Sequence, residues 1–196
     1  GAALLEQHGY LHYEISNFAR MGFQCRHNLG YWEGADYLGM GPSATSTIQN
    51  RRWTNPAGQN AWNTRVRQGS LDAEAEILSP QTRVLELLML RLRTARGLRT
   101  KDYRDLTGRD FTRDHQKLVR ALHENGLIRL RDGYLRLTRK GMVVSNAILT
   151  NLFARTSEVL NAPLPQGSPS AATPAPGAPA SPEPEPDIRP VRWPSA

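Results

Sequence analysis

The sequence predicts a mixed architecture: α/β over 1–72, α+β over 73–155, and a disordered tail over 156–196. Three observations carry that division. Near the start, an apolar helical stretch, a glycine and an aromatic, β-branched run follow one another, the order in which an α/β unit closes. From Ser79 the apolar positions recur at helical spacing, then switch to two short alternating runs around Asp132-Gly133. From Asn161 onward no extended apolar run occurs, and 11 of the 14 prolines fall there.

The chain opens on Gly1 rather than Met, and Ala2 to Gln7 read as the last turns of a helix stopped at Gly9. This opening is expected of a piece of a longer protein. The run 10–18, rich in aromatic and β-branched residues, reads as a strand. The stretch 20–41 has many glycines and little periodicity, yet carries Phe23, Tyr31, Trp32 and Tyr37. A long loop with that many rings is expected to be ordered and functional. Residues 36–44 read as a short strand entering a turn, where Gly39 and Gly41 flank Met40 and allow close backbone approach. A further helical run ends near Gly69.

In the second part Ser79-Pro80 is an N-cap and first-turn pair. Val84, Leu87 and Leu88 share one helical face, and Gly97 ends the helix. A short helix is expected over 100–106, with Thr100 as cap, and a third over 112–124 with Leu118, Val119 and Leu122 inward. Residues 127–131 and 134–137 read as strands joined by the Asp132-Gly133 turn. Alternation puts Ile128, Leu130, Leu135 and Leu137 toward the core and Arg129, Arg131 and Arg136 outward. Thr138 caps a last helix over 139–153. Helices with a two-stranded wing make a winged-helix-like module. The Pro-, Ala- and Ser-rich tail buries too little apolar surface to offset its chain entropy.

Composition narrows the function classes. No apolar run approaches the ~18 residues of a membrane span, and no secretory pattern opens the chain. One cysteine, Cys25, allows no intrachain disulfide and fits a reducing, cytoplasmic location. Nor can it hold an iron–sulfur cluster, which takes about four ligands, mostly cysteine. Net charge is +7, and the stretch 83–140 carries 16 Lys/Arg against seven Asp/Glu. Such an excess points to an anionic partner: nucleic acid, an anionic membrane surface or a carboxylate-bearing ligand.

The densest chemistry lies in Cys25-Arg26-His27-Asn28-Leu29-Gly30-Tyr31-Trp32. Imidazole is a common haem-iron ligand, flat rings can cover a flat macrocycle, and a guanidinium pairs with a propionate. His27 to Trp32 also matches an HNxxYW motif, and 13–20 matches YEISNFAR. The run 37–46 is similar to a YLGxGPxAxS turn, followed by Arg52 and Asn55 in R-x-x-N spacing. In this order the motifs resemble the HemW-type radical-SAM family, relatives of oxygen-independent coproporphyrinogen III oxidase. Residues 79–153 resemble that family's HemN C-terminal domain.

The resemblance implies the C-terminal end of a partial (β/α) radical-SAM barrel over 1–72, followed by the HemN C-terminal domain. It implies haem binding and transfer, as a haem chaperone of porphyrin metabolism, with haem-acceptor proteins at the membrane as partners. His27, Asn28, Tyr31 and Trp32 become candidate haem-binding residues, with His27 the candidate iron ligand. Gly39, Gly41, Ala44 and Thr45 become candidate S-adenosylmethionine contacts. The family's [4Fe-4S] cluster is not expected here, because its CxxxCxxC motif is absent. The chain alone is therefore not expected to be catalytic. The turn departs from the family pattern at Thr45, where His is usual, and at Ser43, where a smaller residue is usual. The alternative reading is a nucleic-acid-binding winged helix, using Arg113, Lys117 and Arg120 in a groove and Arg129, Arg131 and Arg136 on phosphates.

Overall fold

The computed structural model describes residues 1–163 of the 196. The first part runs α1 (Ala2–Gln7), β1 (Leu11–His12), β2 (Phe18–Ala19), α2 (Arg26–Trp32), β3 (Thr45–Ile48), β4 (Arg51–Thr54), α3 (Gln59–Arg67) and β5 (Glu76–Ile77). The second runs α4 (Pro80–Leu92), β6 (Leu98–Arg99), α5 (Thr100–Thr107), α6 (Phe111–Asp114), α7 (Gln116–Glu124), β7 (Ile128–Arg131), β8 (Tyr134–Leu137), α8 (Arg139–Val143) and α9 (Ser145–Asn161).

The expected strand over 10–18 is instead a tight hairpin: β1 pairs antiparallel with β2, Leu11 opposite Ala19 and His12 opposite Phe18. The chain leaves the strand direction because Glu14 bridges to Thr94, and Tyr13 O accepts from the N–H of Ala95 at 3.0 Å. The stretch 20–41 is not loop throughout, since α2 forms inside it. The expected strand over 36–44 reduces to a bridge between Tyr37 and Thr47. β3, β4 and β5 form an antiparallel sheet in that order. Its first hairpin turns on Gln49 and Asn50, both at positive φ (49° and 66°), as a primed two-residue turn requires.

The hydrophobic core lies in the second part. Val84, Leu88 and Leu92 of α4 meet Leu98, Tyr103, Phe111, Ile128, Leu135, Leu137, Met142, Ile148, Leu149 and Leu152 in one buried cluster. Ser79 caps α4 as expected, its Oγ accepting from Thr82 N at 3.0 Å. The wing turns on Asp132 and Gly133, at φ 53° and 76°. β8 lies between β7 and β6, and β6 is a strand the sequence reading lacked. Thr100 opens α5 rather than capping it; its N–H and hydroxyl both reach Gly133 O, tying α5 to the wing turn. Leu130 is a correction: it pairs with Leu135 as alternation requires, but lies on the edge strand and is 44% exposed.

The expected helix over 112–124 is broken at His115, whose φ of −111° leaves the helical region. The last expected helix is two, α8 and α9, with Val144 between them. α9 runs past the expected tail boundary at 156, because Thr156 is buried, Leu160 packs on the core, and Ala162 O accepts from the Arg109 guanidinium. The rest of the expected tail, 164–196, lies outside the described residues. Among the described residues no helix is long and apolar enough to cross a membrane.

Side chains join the two parts. Arg52 of β4 forms a two-pronged ion pair with Glu86 of α4, its second contact at 3.1 Å. Arg96 meets Glu33 at 3.2 Å, and Arg139 pairs with Glu6.

Candidate functional site

α2 turns the motif into two faces. Residues four apart share a helix face, so His27 stands over Tyr31, the rings edge-to-face with centroids 4.8 Å apart. Tyr31 meets Tyr37 in the same way, also at 4.8 Å. His27 and Tyr31 are exposed, and among the described residues the imidazole nitrogens of His27 accept and donate no hydrogen bond. The other face fastens the helix. Asn28 Nδ2 donates to the Tyr13 hydroxyl at 3.3 Å. Trp32 is half-buried, its indole N–H without a partner, and lines a cleft of about 190 Å³ with Leu78, Leu87 and Leu90.

The other histidines have different surroundings. His8 Nδ1 contacts Leu4 O at 2.8 Å, and His12 contacts Ile15 O and stacks on Phe18. His115 is fully buried in the core. His123 is exposed on α7 with no ring against it. An exposed imidazole backed by rings occurs at His27. Cys25 precedes α2, exposed and free, and its side chain makes no capping bond.

The glycine turn is held from inside. Asn55 Nδ2 donates to Gly39 O at 3.1 Å and to Gly41 O at 2.9 Å. Gly39 N donates to the buried Ser46 hydroxyl at 3.0 Å. A Cβ on Gly39 would collide with the Thr45 carbonyl, so this glycine serves the protein's own packing. Gly41 differs: it has φ +95°, and open space lies where its Cβ would be. Of the two glycines, Gly41 is therefore the one free to meet a ligand. Ala44 O accepts from Asn55 N at 2.9 Å, and the Thr45 hydroxyl lies 3.1 Å from that of Thr54. Asn55 Oδ1 is buried without a donor, an acceptor left open at the turn.

The fold brings the two candidate groups together through Tyr37. Its ring touches Tyr31, and its backbone bridges to Thr47 just ahead of the turn. Tyr37 was read from the sequence as an ordered aromatic but not as a member of the site. Arg52 and Asn55 have structural duties, the one as the tie to α4 and the other as the clamp on the turn. Among the described residues no group of three or more His, Cys, Asp or Glu could hold a metal ion.

The residues of the nucleic-acid reading are dispersed. Arg120 pairs with Glu124 at 2.9 Å, Arg131 with Asp132 at 3.3 Å, and Arg136 stacks over the Tyr134 ring at 4.7 Å. With α6 and α7 broken at His115, Arg113 lies on a different helix from Lys117 and Arg120.

Comparison with known proteins gives one answer. Residues 78–144 match the HemN C-terminal domain. The chain is 41% identical over 102 residues to a heme chaperone HemW of Synechocystis sp., covering 50% of this chain and 24% of that protein. It is 28% identical over 145 residues to heme chaperone HemW of Bacillus subtilis, covering 74% of this chain and 38% of that protein. Among solved structures it is similar to the coproporphyrinogen III oxidase HemN of Escherichia coli, a radical SAM enzyme. The TM-score is 0.51 at 20% identity, over 81% of this chain and 38% of that one. The chain thus spans well under half the length of these relatives, and none of them supports the nucleic-acid reading. Residues 78–144 thus carry a HemN C-terminal domain, and by the motif order in α2 and the glycine turn, by these relatives and by the shared fold the chain is similar to the C-terminal part of HemW-type, coproporphyrinogen III oxidase-like proteins.

Proposed function

We propose that this chain supplies the haem-receiving face of a HemW-type haem chaperone, with His27 as an axial ligand to the iron. The observation that carries this reading is the state of His27: exposed, unbonded and backed by the Tyr31 and Tyr37 rings. A neutral imidazole with a free nitrogen is a competent haem ligand. Rings behind it give a macrocycle an apolar surface to cover. Asn28 and Trp32 act as positioning residues, holding α2 so that its other face stays open.

The first part, whose short strands pair antiparallel, would then adjoin the parallel-stranded barrel of the whole protein. The second part is the winged-helix-like domain packed on it. Gly41, with Ala44 and Thr45 beside it, would line the S-adenosylmethionine pocket of the whole protein. Gly39 shapes that pocket from behind rather than touching its occupant. Bound S-adenosylmethionine and a [4Fe-4S] cluster supply radical chemistry in the family, but the single cysteine here does not fit a cluster. This chain's own role is therefore binding, with no decarboxylation of a porphyrinogen, in a reducing cytoplasmic setting and toward acceptor proteins at the membrane.

The test is titration of the full chain with ferric haem, followed by the Soret band. His27→Ala is expected to weaken binding by about tenfold or more, equivalent to ~1.4 kcal/mol. His123→Ala, an exposed histidine with no ring beside it, is expected to leave affinity unchanged. Equal losses in the two variants would remove the assignment.

A further inference from the structure

At the C-terminal end of α2, lined by Glu33 but not by Trp32, lies a second cleft of about 330 Å³. Arg91, Arg96, Arg99, Tyr134, Asp102 and Glu33 line it. Arg91 comes from the last turn of α4, Arg96 from the turn that follows, and Arg99 from β6. The sequence reading assigned none of these residues. All three arginines are half-buried. A guanidinium cannot shed its charge to ease burial, and its planar fork of N–H donors fits a carboxylate.

The cleft already holds two carboxylates of the protein's own, Glu33 and Asp102. Glu33 Oε1 sits 3.2 Å from Arg96 Nη1, and the Glu33 backbone carbonyl accepts from Arg91 Nη2 at 3.3 Å. The Glu33–Arg96 pair has side chains 46% and 39% exposed, and pairs so open contribute little to stability. Glu33 also follows Trp32 directly.

We infer that this arginine-lined cleft is a carboxylate-receiving subsite that takes the propionate arms of a porphyrin-class ligand beside Glu33. The identity of the ligand rests on the haem reading above; the carboxylate preference rests on the cleft alone.

The test uses the full chain and two iron-free probes, protoporphyrin IX and its dimethyl ester, with binding followed by porphyrin fluorescence. The diacid is expected to bind about tenfold more tightly than the diester, and the double variant Arg96→Ala/Arg99→Ala to erase that difference while leaving diester affinity unchanged. The unchanged diester affinity also shows that the variant is folded. Equal binding of diacid and diester to the unaltered chain would overturn the inference, as would a preference that survives the double variant. The two readings fail separately. If Soret binding depends on His27 but both probes bind alike, only the subsite falls. If the arginines govern diacid binding while His27→Ala leaves the haem spectrum unchanged, only the iron ligand falls. Binding of neither probe overturns the subsite.

Discussion

At the scale of single residues, His115 marks what the second part's core demands. Its ring lies against Tyr103 and Phe111, with Nε2 3.5 Å from the Thr156 hydroxyl and Nδ1 without a partner. Burial, helped by the nearby charge of Arg155, pulls its pKa from the ordinary 6.5 to about 4. Between those two values the unfolded chain takes up a proton that the folded chain refuses. Stability is therefore full above pH 6.5 and falls as pH drops toward 4. The loss amounts to at most roughly 3 kcal/mol. Asp110, which caps α6 and accepts from Thr112 and Arg113, is lowered to about 2 and so titrates below this window. Thermal midpoints measured across the window should slope downward for the natural chain and less steeply for His115→Leu, with the raised carboxyl of Asp114 acting in the opposite sense. An unchanged slope in the variant would place the effect on another group. The glycine turn offers a second test. Gly39→Ala should cost on the order of 2 kcal/mol in a denaturant titration, because its methyl meets backbone. Gly41→Ala should cost about 1 kcal/mol, because only its positive φ opposes the change. The reverse order would mean that Gly41, not Gly39, is the packed position.

At the scale of elements, Arg52 is the hinge pin between the parts. Its guanidinium spans Thr47 of β3 and Glu86 of α4, both ends about one-quarter exposed in the ion pair. Arg52→Ala should lower hydrogen-exchange protection across β3 and β4 by about 1.5–3 kcal/mol, the range for hydrogen bonds to charged groups. The wing should change little. Equal loss in β7 and β8 would show that the parts unfold as one unit. The same elements show what the sequence made legible. Ser79, Thr138 and Asp132-Gly133 announced their caps and turn, because such signals act over three or four residues and need no tertiary partner. The breaks at His115 and Val144 stayed hidden, since apolar spacing continues across both and only packing interrupts the helix. β6 is two residues long and exists only as a partner of β8, so no run of residues could reveal it. The strand expected over 10–18 had the right composition. It bends because Tyr13 and Glu14 are claimed by the end of α4, a contact made by residues about 80 positions away. In the site, the motif gave His27, Tyr31 and the glycines. The sharing of a helix face, the role of Tyr37 and the internal duty of Gly39 required coordinates.

At the scale of the whole molecule, the two parts differ in how they hold together. The second owns the buried cluster, whereas the first contributes short sheets, Ile15 at the cluster's edge and polar ties to α4. The second part alone, 73–163, is expected to unfold cooperatively, with the His115 slope intact. A broad, non-cooperative melt would show that the first part is needed for the core. The chain's end can be tested in the same way. Ending it at Asn161 rather than Pro163 removes Ala162, the acceptor for the buried Arg109, and should lower the melting midpoint. Equal midpoints would mean that this contact carries no stability.

The binding account concentrates on one nitrogen. Its most direct test is the absorption spectrum of ferric haem bound to His27→Gly, recorded before and after addition of free imidazole. The variant should lose the histidine-ligated Soret position and recover it when imidazole fills the vacated place above the Tyr31 ring. A variant spectrum identical to that of the natural chain without imidazole would show that another group ligates the iron, and would contradict the account.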